Sequence, residues 1–261
     1  MQLTDARILL TGASGGLGQE LAKQLSAAGA QLLLAGRDAS RLAEVSRHLS
    51  GESSSVRADL TRPEGIAAAV GAAREFGVNG LINNAGIGGF DLFDRMDWPA
   101  AEQVLATNLI APMRLTHALL PWLKTRPEAM IVNIGSTFGS LPFPGFAAYS
   151  AAKSGLRGFS QALRRELGDT AISVMYMAPR AIDTPLNSPE VNALNRALNN
   201  RSDTTEQVAR QVVAALRQES GERHFGFPEK IFAWLNGIAP SLIDRALAGK
   251  LATIKQFAPS R

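Results

Sequence analysis

Short apolar runs alternate with longer segments of helical period along nearly the whole chain. The runs fall at Arg7–Leu10, Gln31–Ala35, Ser55–Ala58, Gly80–Asn83, Met130–Ile134 and Ile172–Met177, with a shorter one near His224–Phe227. Their length and bounding turn residues read as strands. Helix-like patterns occupy Leu17–Ala28, Ala39–Leu49, Pro63–Glu75, Pro99–Leu123 and Tyr149–Leu167. Such alternation implies a parallel sheet covered on both faces. Right-handed crossovers then give an α/β fold, a doubly wound parallel sheet of about seven strands. From Phe227 onward the pattern changes. Ile231, Trp234, Leu235 and Ile238 share one helical face, Pro240 interrupts, and Leu242, Ile243, Leu247 and Leu251 form another. Residues 228–261 therefore read as a helical C-terminal extension, with Arg245, Lys250, Lys255 and Arg261 supplying positive charge.

Composition narrows the class. A chain of 261 residues, 46% hydrophobic and 19% charged, fits a single domain over 1–261 with an ample core. The absence of cysteine excludes disulfides and thiolate metal sites and fits a reducing compartment. His48, His117 and His224 lie far apart without carboxylate spacing, so no metal site is expected. The net charge of +4 is spread out, with no Lys/Arg block of the kind that binds nucleic acid. The first residues lack a signal-peptide apolar run and no stretch reaches membrane-spanning length, so a soluble cytoplasmic protein is expected.

In doubly wound sheets ligands bind beyond the carboxyl ends of the strands. After the first strand comes Thr11-Gly12-Ala13-Ser14-Gly15-Gly16-Leu17-Gly18, leading into a helix. Glycines let the backbone approach a pyrophosphate, which then meets the helix N-terminus. Their positions, 12, 16 and 18 with Gly15 as an extra, depart from G-x-G-x-x-G. The second strand ends at Gly36-Arg37-Asp38. A carboxylate here binds the ribose hydroxyls of NAD, whereas an arginine accommodates the 2′-phosphate of NADP. Gly36 offers no carboxylate and Asp38 suits a helix cap, so Arg37 favours NADP(H) over NAD(H). Further on, Tyr149 and Lys153 stand four residues apart in a helix-forming stretch, which stacks a phenol and an ammonium on one face. Moving a phenol pKa from ~10 towards ~7 requires about 4 kcal/mol. A cation about 4 Å away supplies about that much at an effective dielectric near 20.

Taken in order, the Thr11–Gly18 turn, Asp59 after strand three, Asn83-Asn84-Ala85-Gly86 after strand four, Asn108, Ser136, Tyr149, Lys153, and Pro179 through Thr184 resemble the short-chain dehydrogenase/reductase (SDR) family, with its Rossmann-type fold. The resemblance covers about residues 5–190. It implies that Tyr149 exchanges a proton with the substrate oxygen, that Lys153 holds the nicotinamide ribose and lowers the tyrosine pKa, and that Ser136 polarises the substrate oxygen. Asn108 would hold a water that links Lys153 to solvent. Gly12, Ser14, Gly16, Leu17 and Gly18 would cradle the cofactor phosphates. Asp59 and Leu60 would flank the adenine, and Asn84, Ala85 and Gly86 would support its ribose. Pro179 belongs to the same cofactor wall, Ile182 would pack on the nicotinamide and Thr184 would bond its carboxamide.

One position departs from the family, which usually has Pro-Gly after strand six where this chain has Pro179-Arg180. Two readings follow: Arg180 points to solvent, or it binds an anionic substrate group. Phe138, Leu141, Pro142, Phe143 and Phe146 lie in the family's pocket wall, so Phe138 and Phe143 would contact an apolar substrate. Residues 186–203 resemble the variable substrate loop, expected to be mobile before binding. In related enzymes the helices at Pro99–Leu123 and Tyr149–Leu167 pair subunits, which implies a homodimer or homotetramer. The extension reads as helices packed on the domain or on a partner subunit, with a membrane-surface contact as a sharper alternative. The combined expectation is an NADP(H)-dependent oxidoreductase interconverting a small-molecule ketone or aldehyde and an alcohol. Its rivals are a non-catalytic NADP(H)-binding sensor or scaffold and a nucleotide-sugar epimerase or dehydratase. The latter usually carries a longer substrate domain.

Overall fold

The computed structural model describes residues 1–219 and 221–259, so Arg261 lies outside it. In chain order the elements are β1 (Arg7–Thr11), α1 (Gly16–Ala27), β2 (Gln31–Gly36), α2 (Ala39–Arg47), β3 (Ser53–Arg57), α3 (Pro63–Phe76), β4 (Gly80–Asn83), α4 (Trp98–Leu105), α5 (Ala111–Leu123), β5 (Ala129–Ile134), α6 (Ala147–Glu166) and β6 (Ile172–Ala178). There follow β7 (Ile182–Asp183), α7 (Pro189–Ala197), β8 (Asp203–Thr204), α8 (Thr205–Leu216), β9 (Glu222–His224), α9 (Glu229–Ile238), α10 (Pro240–Ala248) and α11 (Leu251–Phe257). Among the described residues, seven parallel strands form the main sheet in the order β3–β2–β1–β4–β5–β6–β9. This is the doubly wound α/β sheet that the apolar periodicity predicts.

The alternation of side chains along each strand builds two cores. Ile8 and Leu10 of β1, Leu32 and Leu34 of β2, and Met130 and Val132 of β5 point to the face covered by α1, α2 and α8. Leu9, Leu33, Ala129 and Ile131 point to the face covered by α3, α5 and α6. Central strands buried on both sides need apolar residues at every position, which is why these runs are continuous rather than alternating. Each leucine removed wholly from water contributes about 1.5–3 kcal/mol.

Four features differ from the sequence reading. The helical pattern at Pro99–Leu123 is two helices joined by one π-helical turn, Ala106–Ile110, which turns Asn108 into the interior. Helix α8 stands where none was expected. It opens on a reciprocal cap between Thr204 and Gln207 and buries Val208, Val212 and Leu216 against the α1 face. Residues 186–203, expected as a mobile loop, contain α7, capped by the Ser188 hydroxyl on Val191 N–H and anchored by the buried Leu194. The extension holds three helices rather than two, with Ile243 and Ile254 buried.

Strand β9 is the sheet edge, and one carboxylate ties it to α6. Glu222 accepts from Arg157 Nε (2.7 Å), Gln161 Nε2 (2.8 Å) and His224 Nε2 (2.9 Å). The His224 bond, followed by those of Gln161 and Arg157, brings its carboxyl down to about 2 against the opposing effect of burial. Glu222→Gln is expected to cost about 1–2 kcal/mol at neutral pH. A depressed folded pKa gives a contribution that is whole above the unfolded value near 4.5 and is lost as pH falls towards about 2. Denaturant unfolding across that range should show the two stabilities converging. A gap that stays constant with pH would rule the carboxylate out as its source.

Candidate active site

The chain switches winding direction between β1 and β4, and the two strand ends are bolted together there. Thr11 Oγ1 accepts the N–H groups of Asn84 (2.9 Å) and Ala85 (3.0 Å) and donates to the Ile82 carbonyl (3.2 Å). Asn84 Nδ2 returns two bonds, to the carbonyls of Thr11 (3.0 Å) and Gly12 (3.3 Å). Its side chain is thus committed to the turn itself. Gly12 adopts φ +64°, and a Cβ there would lie 2.7 Å from Ala85 Cα, so the seam closes only on glycine. A Cβ on Gly18 would lie 2.1 Å from the Gly12 carbonyl oxygen. Helix α1 starts at Gly16 with no side-chain cap, leaving its first-turn N–H groups and the positive end of its dipole for an anion. Bare backbone and an uncapped helix suit a pyrophosphate.

At the end of β2 the side chains divide the work between structure and binding. Asp38 Oδ1 accepts from Ser40 N (3.0 Å), Ser40 Oγ (2.6 Å) and Arg41 N (3.1 Å), so this carboxylate caps α2 as expected. The Ser40 hydroxyl holds it below the usual carboxylate range. Gly36 leaves room for Ser14, whose Oγ would lie 3.2 Å from a Cβ at position 36. Arg37 is exposed, and Arg57 stands beside it, its Nε donating to the Arg37 carbonyl (3.2 Å). Arg57 escaped the sequence reading because only the β2–β3 register brings it opposite Gly36. Asp59 accepts from the Thr61 hydroxyl (2.7 Å) and N–H (3.1 Å), and these bonds with Arg37 and Arg62 nearby hold its carboxyl low. Leu60 packs, half-buried, against the α3 side of the core.

The expected catalytic residues come together beyond β5. Ser136 caps a 3-10 turn, its Oγ accepting from Phe138 N (3.2 Å), and its side chain hydrogen-bonds the Tyr149 phenol. One helical turn on, the Lys153 ammonium lies 5.7 Å from the Tyr149 ring centroid and donates to the Ile134 carbonyl (2.9 Å). Asn108 spends its amide on Ile87, accepting from its N–H and donating to its carbonyl, both at 2.9 Å. Gly86 joins these groups: a Cβ there would lie 2.9 Å from Asn108 Oδ1 and 3.9 Å from Lys153 Nζ. A buried polar chain sets the height of α5 and α6 on the sheet. Asn83 Nδ2 donates to Asn133 Oδ1 (2.8 Å) and Thr116 Oγ1 (3.2 Å), and Asn133 Nδ2 donates to Ser160 Oγ (2.8 Å).

The electrostatics differ from the expectation based on spacing. Burial pushes the Tyr149 phenol up, opposed only by the Ser136 hydrogen bond, so Lys153 does not bring it down. Burial also lowers Lys153, to about 8. Removing both groups from water penalises each charged form, and this outweighs the attraction the i,i+4 spacing suggested. At neutral pH the phenol therefore carries its proton, the form that can protonate a carbonyl oxygen.

Arg180 neither faces solvent nor presents a free fork. Its Nε and Nη2 grip both oxygens of Asp203 (2.9 and 2.5 Å), and Nη1 faces Glu229 Oε2 at 3.8 Å. The guanidinium is thereby occupied with β8 and α9, and two carboxylates of the same chain already balance the charge that an anionic substrate group would need. Pro179 is fixed from the other side, its carbonyl accepting from Thr137 N (2.9 Å) and Oγ1 (3.1 Å). Ile182 packs against the α1-side core, and Thr184 with Pro185 lies against Gly16 of the phosphate turn. Phe138 and Phe143 stack in parallel at 5.3 Å, and Phe138 and Phe146 meet the Tyr149 ring edge-on at 6.2 and 6.3 Å. Leu194 and Ile254 close over this aromatic group from α7 and α11.

Tyr176, in β6, reads in the sequence as core. Its hydroxyl donates to the carbonyls of Ser136 (3.3 Å) and Lys153 (3.4 Å) and accepts from Ser136 N (3.3 Å). Its ring fills the space beside Gly135, where a Cβ would lie 2.1 Å from Cζ.

The family model described as short chain dehydrogenase matches residues 6–195. Mouse Dehydrogenase/reductase SDR family member 7B is 34% identical over 264 residues, spanning 95% of this chain and 82% of that protein. A short-chain dehydrogenase from Sphingobium yanoikuyae, solved with NADPH, superimposes with a TM-score of 0.77 at 27% identity over 92% of this chain and 95% of that one. An SDR from Burkholderia phymatum, solved with NAD, shares the fold with a TM-score of 0.83 at 22% identity, covering 93% and 96%. The chain belongs to the short-chain dehydrogenase/reductase family of oxidoreductases.

Tyr176→Phe keeps the ring and deletes the three contacts. Turnover is expected to fall about 3- to 10-fold, with KM moved less than about twofold and the native fold kept. Steady-state kinetics beside thermal unfolding would decide the matter. A less stable variant with unaltered turnover would reduce Tyr176 to packing.

Proposed function

We propose that the chain is an NADP(H)-dependent oxidoreductase interconverting a ketone or aldehyde and an alcohol on a mainly apolar substrate, with Tyr149 as the proton-exchanging group. The observation that carries this reading is the convergence of Ser136, Tyr149 and Lys153 beyond β5, beside a turn suited to a pyrophosphate. When bound, the nicotinamide supplies or accepts the hydride. Tyr149 delivers the proton to the carbonyl oxygen in reduction and removes it from the hydroxyl in oxidation. The Ser136 hydroxyl hydrogen-bonds the same oxygen and stabilises the charge that develops there. Lys153, pinned to the Ile134 carbonyl, presents its ammonium beside the phenol and the cofactor ribose. Phe138, Phe143 and Phe146 give the pocket an apolar wall that excludes water from the reacting carbonyl. Arg37 and Arg57 supply two cations for a 2′-phosphate, and the only carboxylate beside Arg37 in the β2 turn, Asp38, is committed to α2.

Arg37→Ala and Arg57→Ala should each weaken NADPH binding about 10-fold or more and leave NADH binding within about twofold, since each removes one charge-assisted contact. Fluorescence titration of both coenzymes checks this, and equal losses for both would overturn the NADP assignment. Turnover of an aldehyde and ketone panel should vanish in Tyr149→Phe while NADPH binding persists. Tight NADPH binding by the wild type without turnover on any member would instead favour a nucleotide-binding sensor.

A further inference from the structure

Surface helices ordinarily turn their apolar stripe towards the domain. Helix α9 is reversed. It is held to the domain by polar groups: Glu229 faces Arg180 at 3.8 Å, and Asn236 Nδ2 donates to the Ser140 carbonyl (3.0 Å). No residue of α9 is fully buried. Ile231, Trp234 and Ile238, at intervals of three and four, fall on one helical side and are 47%, 66% and 62% exposed, and Phe227, just before the helix, is 70% exposed. Phe232 and, on the packed helix α10, Leu242 extend the exposed apolar area. Six of the twelve exposed large apolar residues among those described lie within 227–242, too concentrated for ordinary surface scatter.

The neighbouring charges select the occupant. Lys230, Arg245, Lys250 and Lys255 are exposed, against Asp244 as the exposed acidic residue of the three helices, while Glu229 is turned onto Arg180. A second copy of the chain would set this cationic rim against its own like. An anionic lipid surface accepts both features, since tryptophan and phenylalanine seat at the headgroup boundary and lysines gain from the negative surface potential. Among the described residues no helix is long and apolar enough to cross a membrane, so the contact is one that lies in the interface.

We propose that the outer face of α9, with the basic residues around it, seats on an anionic lipid surface. Because α9 contacts Arg180, next to Pro179, and Ser140, at the end of the turn that Ser136 opens, this contact would hold the mouth of the site towards the bilayer. The binding itself requires no turnover and is tested without it.

The full-length protein should co-sediment with phosphatidylcholine vesicles containing phosphatidylserine. It should bind vesicles of phosphatidylcholine alone about tenfold less and lose affinity as salt rises. The double variant Ile231→Glu/Trp234→Glu alters only exposed side chains, so its thermal unfolding should match the wild type, while vesicle binding falls about tenfold or more. Trp234→Phe, which keeps an apolar ring, should retain binding. No sedimentation of the wild type at low salt would overturn the proposal, as would binding that the double variant leaves unchanged. Wild type that elutes as a larger oligomer than the double variant and ignores vesicles would assign the face to a second copy.

Discussion

The hydroxyl of Thr11 holds the two halves of the sheet in register at the place where the chain reverses its winding. It takes two N–H groups from the segment after β4 and gives its proton to the Ile82 carbonyl, so that one hydroxyl serves three main-chain groups at the strand end. Asn84 closes the same seam from the opposite side. Gly12 lets the backbones approach to a distance that any side chain would block. From that seam the rest of the site follows. The glycine turn faces the crevice because it is pinned to Ala85, and Gly86 lies against Asn108 and Lys153 because Ala85 is pinned in turn.

The strands were legible because a parallel sheet buried on both faces demands unbroken apolar runs, and six of the seven runs lie within a few residues of the strands observed. The last, placed near His224–Phe227, is Glu222–His224, since Phe225 packs in the core beyond the strand end. The positions proposed as catalytic were legible through their order along the chain. What stayed hidden depends on partners distant in sequence. Arg57 becomes relevant only through its register with Gly36. Tyr176 sits in a strand as any buried aromatic would, and its hydroxyl gains meaning only from Ser136 and Lys153. The π-helical turn at Asn108 carries no marker that separates it from a plain helix. Helix α8 did have a local signature in Thr204 and Gln207, but it followed directly on a polar stretch read as loop.

Spacing predicts adjacency better than it predicts charge. Tyr149 and Lys153 do share a face, yet the phenol is partly and the ammonium almost wholly withdrawn from water, and the lysine's proton is directed at the Ile134 carbonyl rather than at the phenol. Desolvation raises the phenol and lowers the lysine, so their acidities move apart and the phenol does not become acidic. Arg180 makes a related point. An exceptional cation beside a substrate mouth invites an anion, but here two carboxylates of the same chain reach it first. It links the residue after Pro179 to β8 and α9, three segments that share no sheet.

The close fit of Tyr176 against Gly135 and Gly139 couples these positions across generations as well as in space. Either glycine could gain a side chain only after the ring opposite had shrunk, because a Cβ at 135 or 139 would lie 2.1 or 2.3 Å from tyrosine atoms. A lineage that replaced Tyr176 with a smaller residue would be released from that restriction at Gly135, whereas Gly139 would stay closed, because a Cβ there also lies 2.8 Å from the Lys153 carbonyl oxygen. The strand behind the site thus dictates which side chains the loop that carries Ser136 can acquire, and in what historical order.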